Sequence, residues 1–438
     1  TGHRHMMPPT MLVIAGRAIT VRYMADTNLD DFTAAAHTFL DAIATPKEPE
    51  KPFVWGEGED RVGMFEESKK EDELAAVAAA KTYRAQKFDA GFGWITGPKE
   101  YGGSGLTSAH ERAFGAIESE YEVPGESVFM ISLGMVAPTI LAHGTDLAKD
   151  RYIKALWRGD IIACQLFSEP GAGSDLAGLQ TKAERDGDEW ILNGQKVWTT
   201  FAQHAQIGEV IARTDPNLPK HAGLTGFIVD MHAPGVEVRP LRQMTGGASF
   251  NEVFFTDVRV PDDHRLSDVN NGWNVALTTL MNERAAIGAA APSGVTTWDR
   301  LREMARHYDL MADPVLRDEL MQVYMHSKVA RLTNQRAMDK IKSGQLPGPE
   351  MSIAKLAGTQ NMERVSDFLS HALGAKLIAD NGEWGTYAWS QMVLGGPGGR
   401  IAGGTDEVMR NIVGERVLGL PKDPGIDSKS PFKDLRTN

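Results

Sequence analysis

Two neighbouring segments carry residue types suited to holding a flat, phosphorylated ligand. The first reads Gln165-Leu166-Phe167-Ser168-Glu169-Pro170-Gly171-Ala172-Gly173-Ser174-Asp175. Small residues and hydroxyls crowd it, so backbone N–H groups can approach a ring or a phosphate closely. The second, Asn193-Gly194-Gln195-Lys196-Val197-Trp198-Thr199-Thr200, opens with an Asn-Gly pair that marks a tight hairpin. Alternation along the following strand puts Trp198 and Thr200 on one face. An indole beside a hydroxyl can stack on an isoalloxazine ring and bond its polar edge. Neither signal is specific alone: Gly-rich loops commonly just enter β-domains, and a strand tryptophan is more often core.

A third candidate is a carboxylate. Trp273, Ala276, Leu280, Glu283 and Ile287 are spaced three and four apart, so Glu283 falls on the apolar stripe of a helix. A carboxylate there is costly unless partnered or functional. The ordinary structural reading is a Glu283–Arg284 pair at the edge of the stripe. At the far end of the chain Gly404 precedes Thr405, which sits where a helix N-cap belongs, and free N–H groups there favour anions.

The elements that position these residues fall into three regions. Residues 24–160 are helical in character, with Ala-rich stretches such as Glu73 to Ala85 and a turn cluster at Gly97 to Gly103. Residues 161–268 read as strands: Glu189 to Leu192, Gly208 to Ala212, Gly226 to Val229 and Glu252 to Phe255 lie between turn signals. Residues 269–420 return to helical periodicity. Residues 421–438 read as a loose tail. Residues 1–23 hold three arginines and no acid; the expectation is a tag remnant or an overlong start, with Met24 opening the folded protein. Helices, a β segment, then helices fit neither βαβ alternation nor a plain bundle. No Gly-x-Gly-x-x-Gly follows an early strand, so any nucleotide cofactor is held without a Rossmann fold.

Bulk properties narrow the function. With 438 residues, 42% of them apolar, the chain can bury several domain-sized cores. A formal charge of -12 opposes nucleic-acid binding, which needs a basic surface. The single cysteine, Cys164, forbids an intramolecular disulfide and a cysteine zinc site, and suits a reduced, cytoplasmic setting. No segment reaches the roughly 18–20 apolar residues of a membrane span. Beyond the excluded start, the histidines lack metal-ligand spacing, so no metal is expected.

Taken together, these segments resemble the acyl-CoA dehydrogenase family. Its Ser-Glu-Pro-x-Ala-Gly-Ser-Asp run and Asn-Gly-x-Lys-x-Trp-Ile-Thr strand stand here, at Ser168 to Asp175 and Asn193 to Thr200, with small changes. Gly93-Trp94 through Gly102-Gly103, Asn251 to Phe255 with Val260-Pro261, and Gly404-Thr405 through Gly419 match further family segments in order. The resemblance implies a mainly α, α+β fold: a helical N-domain, a central β-barrel-like domain and a C-terminal four-helix bundle. It implies FAD between the β-domain and the bundle, held by Gln165, Phe167, Ser168, Gly173, Ser174, Trp198, Thr199, Thr200, Gly404, Thr405, Asp406 and Glu407. Ser174 also matches a position touching the CoA ligand. The implied reaction, part of fatty-acid and lipid metabolism, oxidises an acyl-CoA to its trans-2-enoyl form.

The departures from the family pattern concern the base and the subunit contacts. Many members place the α-proton base just before the Gly-Thr of the late loop; here that position is Gly403. Isovaleryl-CoA and long-chain dehydrogenases instead carry a glutamate before an arginine on the first C-terminal helix, which matches Glu283 and Arg284 within Met281-Asn282-Glu283-Arg284. Glu283 is thus the expected base, with Met281 and Arg284 beside the substrate. Of a segment that reaches the pyrophosphate across a subunit boundary only Arg306 survives, and His371 begins the replacement of another such contact. The implied assembly is a dimer or tetramer of this chain, or a hetero-tetramer with a related chain and half the sites. An electron-transfer flavoprotein is the expected acceptor; an acyl-CoA oxidase and a non-catalytic subunit are the alternatives. Ala402, where relatives often have tyrosine, removes bulk and hints at a branched, cyclic or steroid-like acyl group. Trp384 and Trp389 are expected to pack under a loop.

Overall fold

The computed structural model describes residues 10–14, 17–21, 28–48, 53–57, 70–289, 297–342, 348–349, 351–379, 382–385, 388–422 and 429–435, the side chains of 10–14, 17–21, 284–289, 341–342, 351 and 388 excepted. Near the start, β1 (Thr10–Ile14) and β2 (Arg17–Val21) pair antiparallel. Helix α1 (Leu29–Ile43) begins where Asn28 accepts a hydrogen bond from Asp31 N, at 2.9 Å, satisfying a donor the helix cannot. It continues through β3 (Thr45–Pro46), α2 (Lys70–Asp89), α3 (Ser108–Glu118) and β4 (Tyr121–Glu122), which pairs with β3. A π-helical turn at Ser132–Val136 leads into α4 (Ala137–His143), and Thr145 caps α5 (Asp146–Arg158). The turn cluster after α2 is held by Trp94 stacked on Trp157 of α5, centroids 4.5 Å apart.

The middle of the chain is one sheet. Its strands are β5 (Ala163–Leu166), β6 (Lys182–Asp186), β7 (Glu189–Thr200), β8 (Ile207–Arg213), β9 (Leu224–Asp230), β10 (Val236–Leu241), β11 (Phe250–Pro261) and β12 (Arg265–Leu266). They order as β10-β11-β7-β6-β8-β9-β12, with β5 parallel against β8. Strand β8 is buried along its whole length, because helices and sheet cover both faces.

One turn assignment is corrected here. Asn193-Gly194 makes no hairpin: it lies inside β7, which runs on to Thr200. The hairpin turn between β6 and β7 is at Gly187, φ 64°. Asn193 instead pairs with a bulge in β11, where Asp257 sits at φ 51°: Asp257 N donates to Asn193 Oδ1 at 2.9 Å and Asn193 Nδ2 donates to Asp257 Oδ1 at 3.0 Å. Gly194 is required by proximity, since a Cβ there would collide with Thr181.

The last part is helical: α6 (Gly272–Ala289), α7 (Thr297–His307), α8 (Pro314–Lys342), α9 (Met351–Leu373), α10 (Ala388–Ile401) and α11 (Asp406–Ile412). Helix α9 is the hub against which α6, α8, α10 and α11 pack. Trp389 is buried among Phe368, Leu369 and Leu301, while Trp384 meets Trp55 edge-on at 4.9 Å. The tail is not loose throughout. Residues 429–435 return to the β-domain, where Phe432 is buried. Among the described residues no helix is long and apolar enough to cross a membrane.

Candidate active site

The Gln165–Asp175 loop and the Asn193–Thr200 strand meet at a buried ion pair. Lys196 Nζ donates to Glu169 Oε1 at 2.8 Å, to Phe167 O at 3.1 Å and to Ile211 O at 2.9 Å, which uses all three of its protons. Glu169 also accepts from the backbone N–H of Thr181 and Gln180, at 2.9 and 2.6 Å. Burial works against both charges; Lys196 and the two amides outweigh it for Glu169, whose carboxyl is held below its ordinary value. Burial likewise lowers the Lys196 ammonium, and Glu169 opposes that. Val197 N donates to Ser168 O at 2.9 Å, so loop and strand are bonded directly. Gln165 is half-buried in β5 and Phe167 is buried, whereas Gly173 and Ser174 stand exposed at the loop tip.

This anchoring bends β7. Lys196 and Val197 are both buried, and the pairing with β11 slips between Asn251 and Val253, so two residues face one. Trp198 takes up the slip at φ 61° and is 60% exposed. A left-handed conformation costs a non-glycine residue about 1–2 kcal/mol, and such strain gathers at functional sites. Beyond the bulge alternation resumes: Thr199 points inward and Thr200 lies half-exposed on the Trp198 side. The Phe250 ring supports the indole edge-on at 6.1 Å. Buried Thr199 Oγ1 has no hydrogen-bond partner. An exposed indole on a strained bulge, a neighbouring hydroxyl and a donor-rich loop fit a flavin ring system.

In the late loop Thr405 is the helix N-cap that the sequence indicated. Gly403 and Gly404 take φ 66° and 93°, and Thr405 caps α11 by accepting from Val408 N at 3.2 Å. Asp406 faces inward. Its carboxylate, 1% exposed, accepts from Thr359 Oγ1 at 2.7 Å, Arg400 Nε at 2.9 Å and Lys355 Nζ at 3.4 Å. It therefore clamps the loop to α9 and α10. Glu407 is exposed and pairs with Arg410.

On α6 the buried face runs Val275, Ala276, Thr279, with Trp273 and Leu280 partly buried against it. Glu283 lies one turn beyond Thr279 on that face and is half-buried; Met281 is 65% exposed. The side chains of Arg284 and Ile287 lie outside the described residues. Arg306 and His371 are not brought to these segments within one chain: they are exposed and paired with Glu303 and Glu319. Among the described residues no group of three or more His, Cys, Asp or Glu side chains could hold a metal ion.

Two groups escaped sequence reading. Glu209, in β8, is fully buried; Thr279 Oγ1 donates to its Oε1 at 2.6 Å and its Oε2 has no partner. Arg213, at the end of β8, is buried between two loops. The available signal was an acid and a base inside the apolar run Ile207 to Arg213.

Models of three family domains match the chain in this order: the acyl-CoA dehydrogenase N-terminal domain at residues 65–160, the middle domain at 164–258 and the C-terminal domain at 270–418. The chain belongs to the acyl-CoA dehydrogenase family. Among its relatives in that family is FadE34 of Mycobacterium tuberculosis, 40% identical over 286 residues, 65% of this chain but only 39% of that protein. IpdE1 of the same organism is 35% identical over 342 residues, 76% of this chain and 84% of its own length. Solved acyl-CoA dehydrogenase structures align as well. The Tcur3481–Tcur3483 steroid enzyme superposes with TM-score 0.68 at 26% identity, covering 90% of this chain and 98% of that one. The ChsE4–ChsE5 complex of Mycobacterium tuberculosis gives 0.64 at 26%, covering 90% and 97%.

Proposed function

We propose that this acyl-CoA dehydrogenase removes hydrogen from Cα and Cβ of an acyl-CoA thioester with FAD as cofactor, and that Glu283 takes the α-proton. The observation that carries this is the placement of Glu283, half-buried on the inner face of α6, in a chain whose late loop has glycine at position 403. A base for this step must be ionised yet poorly hydrated, so that its affinity for a proton suits the working pH. The half-buried position of Glu283 supports the second requirement.

The chain's residues divide the remaining work. Trp198, Thr199 and Thr200 would receive the flavin ring, and Gln165, Phe167, Ser168, Gly173 and Ser174 its flank. Gly404 and Thr405 would contribute backbone donors, with Asp406 holding them from behind. Ser174 would also touch the CoA portion, and Met281 and Arg284 the acyl end. FAD, when bound, supplies the acceptor for the β-hydride. Motion of the proton is confined to the Glu283 carboxylate and Cα of the substrate.

The likeness to the Tcur3481–Tcur3483 steroid enzyme and the small Ala402 side chain support a bulky, branched or cyclic acyl group. A two-chain assembly is a second reading. The ChsE4–ChsE5 structure is a complex, and Arg306 and His371 here sit in surface ion pairs. A chain that needs a related partner purifies alone colourless and inactive; a self-sufficient one purifies yellow. An electron-transfer flavoprotein is the proposed acceptor, and steady peroxide formation in air would favour an oxidase instead. The central test is Glu283→Gln, which should keep flavin bound and abolish bleaching by acyl-CoA. Retained bleaching removes Glu283 from the reaction.

A further inference from the structure

We infer that the C-terminal segment Pro431–Leu435 is a strap that fixes the CoA-facing rim of the β-domain, with Phe432 as its positioning residue. The segment lies beyond residue 418, where the family match ends, and its contacts are specific. Phe432 N donates to Leu218 O at 2.9 Å and Lys433 N to Pro216 O at 3.0 Å. Pro431 bridges to Pro219. The Phe432 ring, 8% exposed, lies against the Arg213 guanidinium, 3.7 Å from carbon to centroid.

Arg213 is the node through which the strap acts. Its Nη1 donates to Lys220 O at 2.7 Å, and its Nη2 to Ala177 O at 2.6 Å and Leu179 O at 3.4 Å. No described carboxylate comes within ion-pair distance, and Nε has no partner. A buried cation so placed is balanced by carbonyl oxygens and by the negative face of an aromatic ring. Removing the ring therefore loosens the group that joins two loops. Those loops are bonded to each other again at Lys220, whose Nζ reaches both Asp175 oxygens at 2.8 Å. Asp175 follows Ser174 directly. On the other side His221 packs edge-on against Trp273 of α6 at 4.6 Å, so the same loop also touches the helix that carries Glu283.

The proposal rests on the reading that Ser174 faces the CoA portion of the substrate. Three variants and two readouts separate the ideas. In full-length Phe432→Ala, hydrogen exchange of the Gly178, Leu179 and Ala222 amides should accelerate about tenfold or more. The KM for acyl-CoA should rise about fivefold or more with kcat and FAD content nearly unchanged. Phe432→Leu, which keeps apolar filling without the aromatic face, should fall between, and it serves as the test if the alanine variant does not fold. Unchanged exchange and unchanged KM in both variants overturn the strap. If Ser174→Ala raises KM while Phe432→Ala moves neither readout, the strap fails and the Ser174 reading stands. If Phe432→Ala speeds exchange while Ser174→Ala leaves KM alone, the strap stands and the Ser174 reading fails.

Discussion

Glu209 makes stability depend on pH in a way that one substitution should erase. Burial pushes its carboxyl up from an ordinary 4.5 to about 8, and the single hydrogen bond from Thr279 offsets only part of that. Thr279 in turn meets Thr139 of α4 at 2.9 Å, so the side chains leading away from Glu209 are neutral hydroxyls. Below pH 4.5 the group is neutral in both folded and unfolded chains and has no effect. Between 4.5 and 8 only the unfolded chain releases the proton, so stability falls as pH rises; above 8 both forms ionise and the loss is complete. At about 1.4 kcal/mol per pH unit, the loss is about 3 kcal/mol at pH 7 and about 4 kcal/mol between pH 5 and 9. For 438 residues the entropy of unfolding is roughly 0.9 kcal/mol/K, so this corresponds to about 4 °C in Tm. Glu209→Gln cannot titrate, though its extra N–H lowers stability by a constant amount at every pH. The quantity to follow is the Tm of Glu209→Gln minus that of the parent, at equal FAD loading, from pH 5 to 9. It should climb by about 4 °C. A flat difference across that range would mean the carboxyl is not held neutral, and the account of its burial would be wrong.

Two further substitutions test the scaffold of the site. Lys196→Met should destabilise the fold by about 3–5 kcal/mol by leaving the Glu169 carboxylate buried without its cation; pairing it with Glu169→Gln should recover part of that loss in a double-mutant cycle followed by chemical denaturation. Asp406→Asn keeps the shape of the clamp but weakens the charge-assisted bonds from Arg400 and Lys355. It should weaken FAD binding about tenfold, read by flavin fluorescence, with a far smaller change in unfolding midpoint.

The order of helical, strand and helical regions was legible because each has its own period, and the family segments because their residue types are distinctive. What escaped reading depended on contacts between distant parts of the chain. Asn193-Gly194 has the local signature of a hairpin, yet Asp257 sixty-four positions away turns it into the partner of a bulge. Trp198 and Thr200 do share a face, but through a slip in register that places Lys196 and Val197 both inside, which simple alternation forbids. Asp406 carries no local sign that Thr359 and Lys355 on α9 and Arg400 on α10 hold its carboxylate. Phe432 in a Pro- and Lys-rich tail carries no local sign that Arg213 waits for it across the β-domain.

The inner face of α6 connects the two carboxyl groups that matter most. Glu209 bonds to Thr279, and Glu283 follows Thr279 by one turn, so both acids sit along one side of the same helix. They differ in exposure, and exposure decides which of them a ligand can reach. Glu209 is 0% exposed and reaches only a hydroxyl; a group sealed in this way has no route by which a substrate could hand it a proton. Glu283 is half-buried, so part of its surface stays open to a ligand, as the proposed role requires. Glu209→Gln should therefore leave flavin bleaching by acyl-CoA intact while Glu283→Gln abolishes it. Loss of bleaching in both would place Glu209 in the proton path and undo the assignment of a purely structural acid beneath the helix.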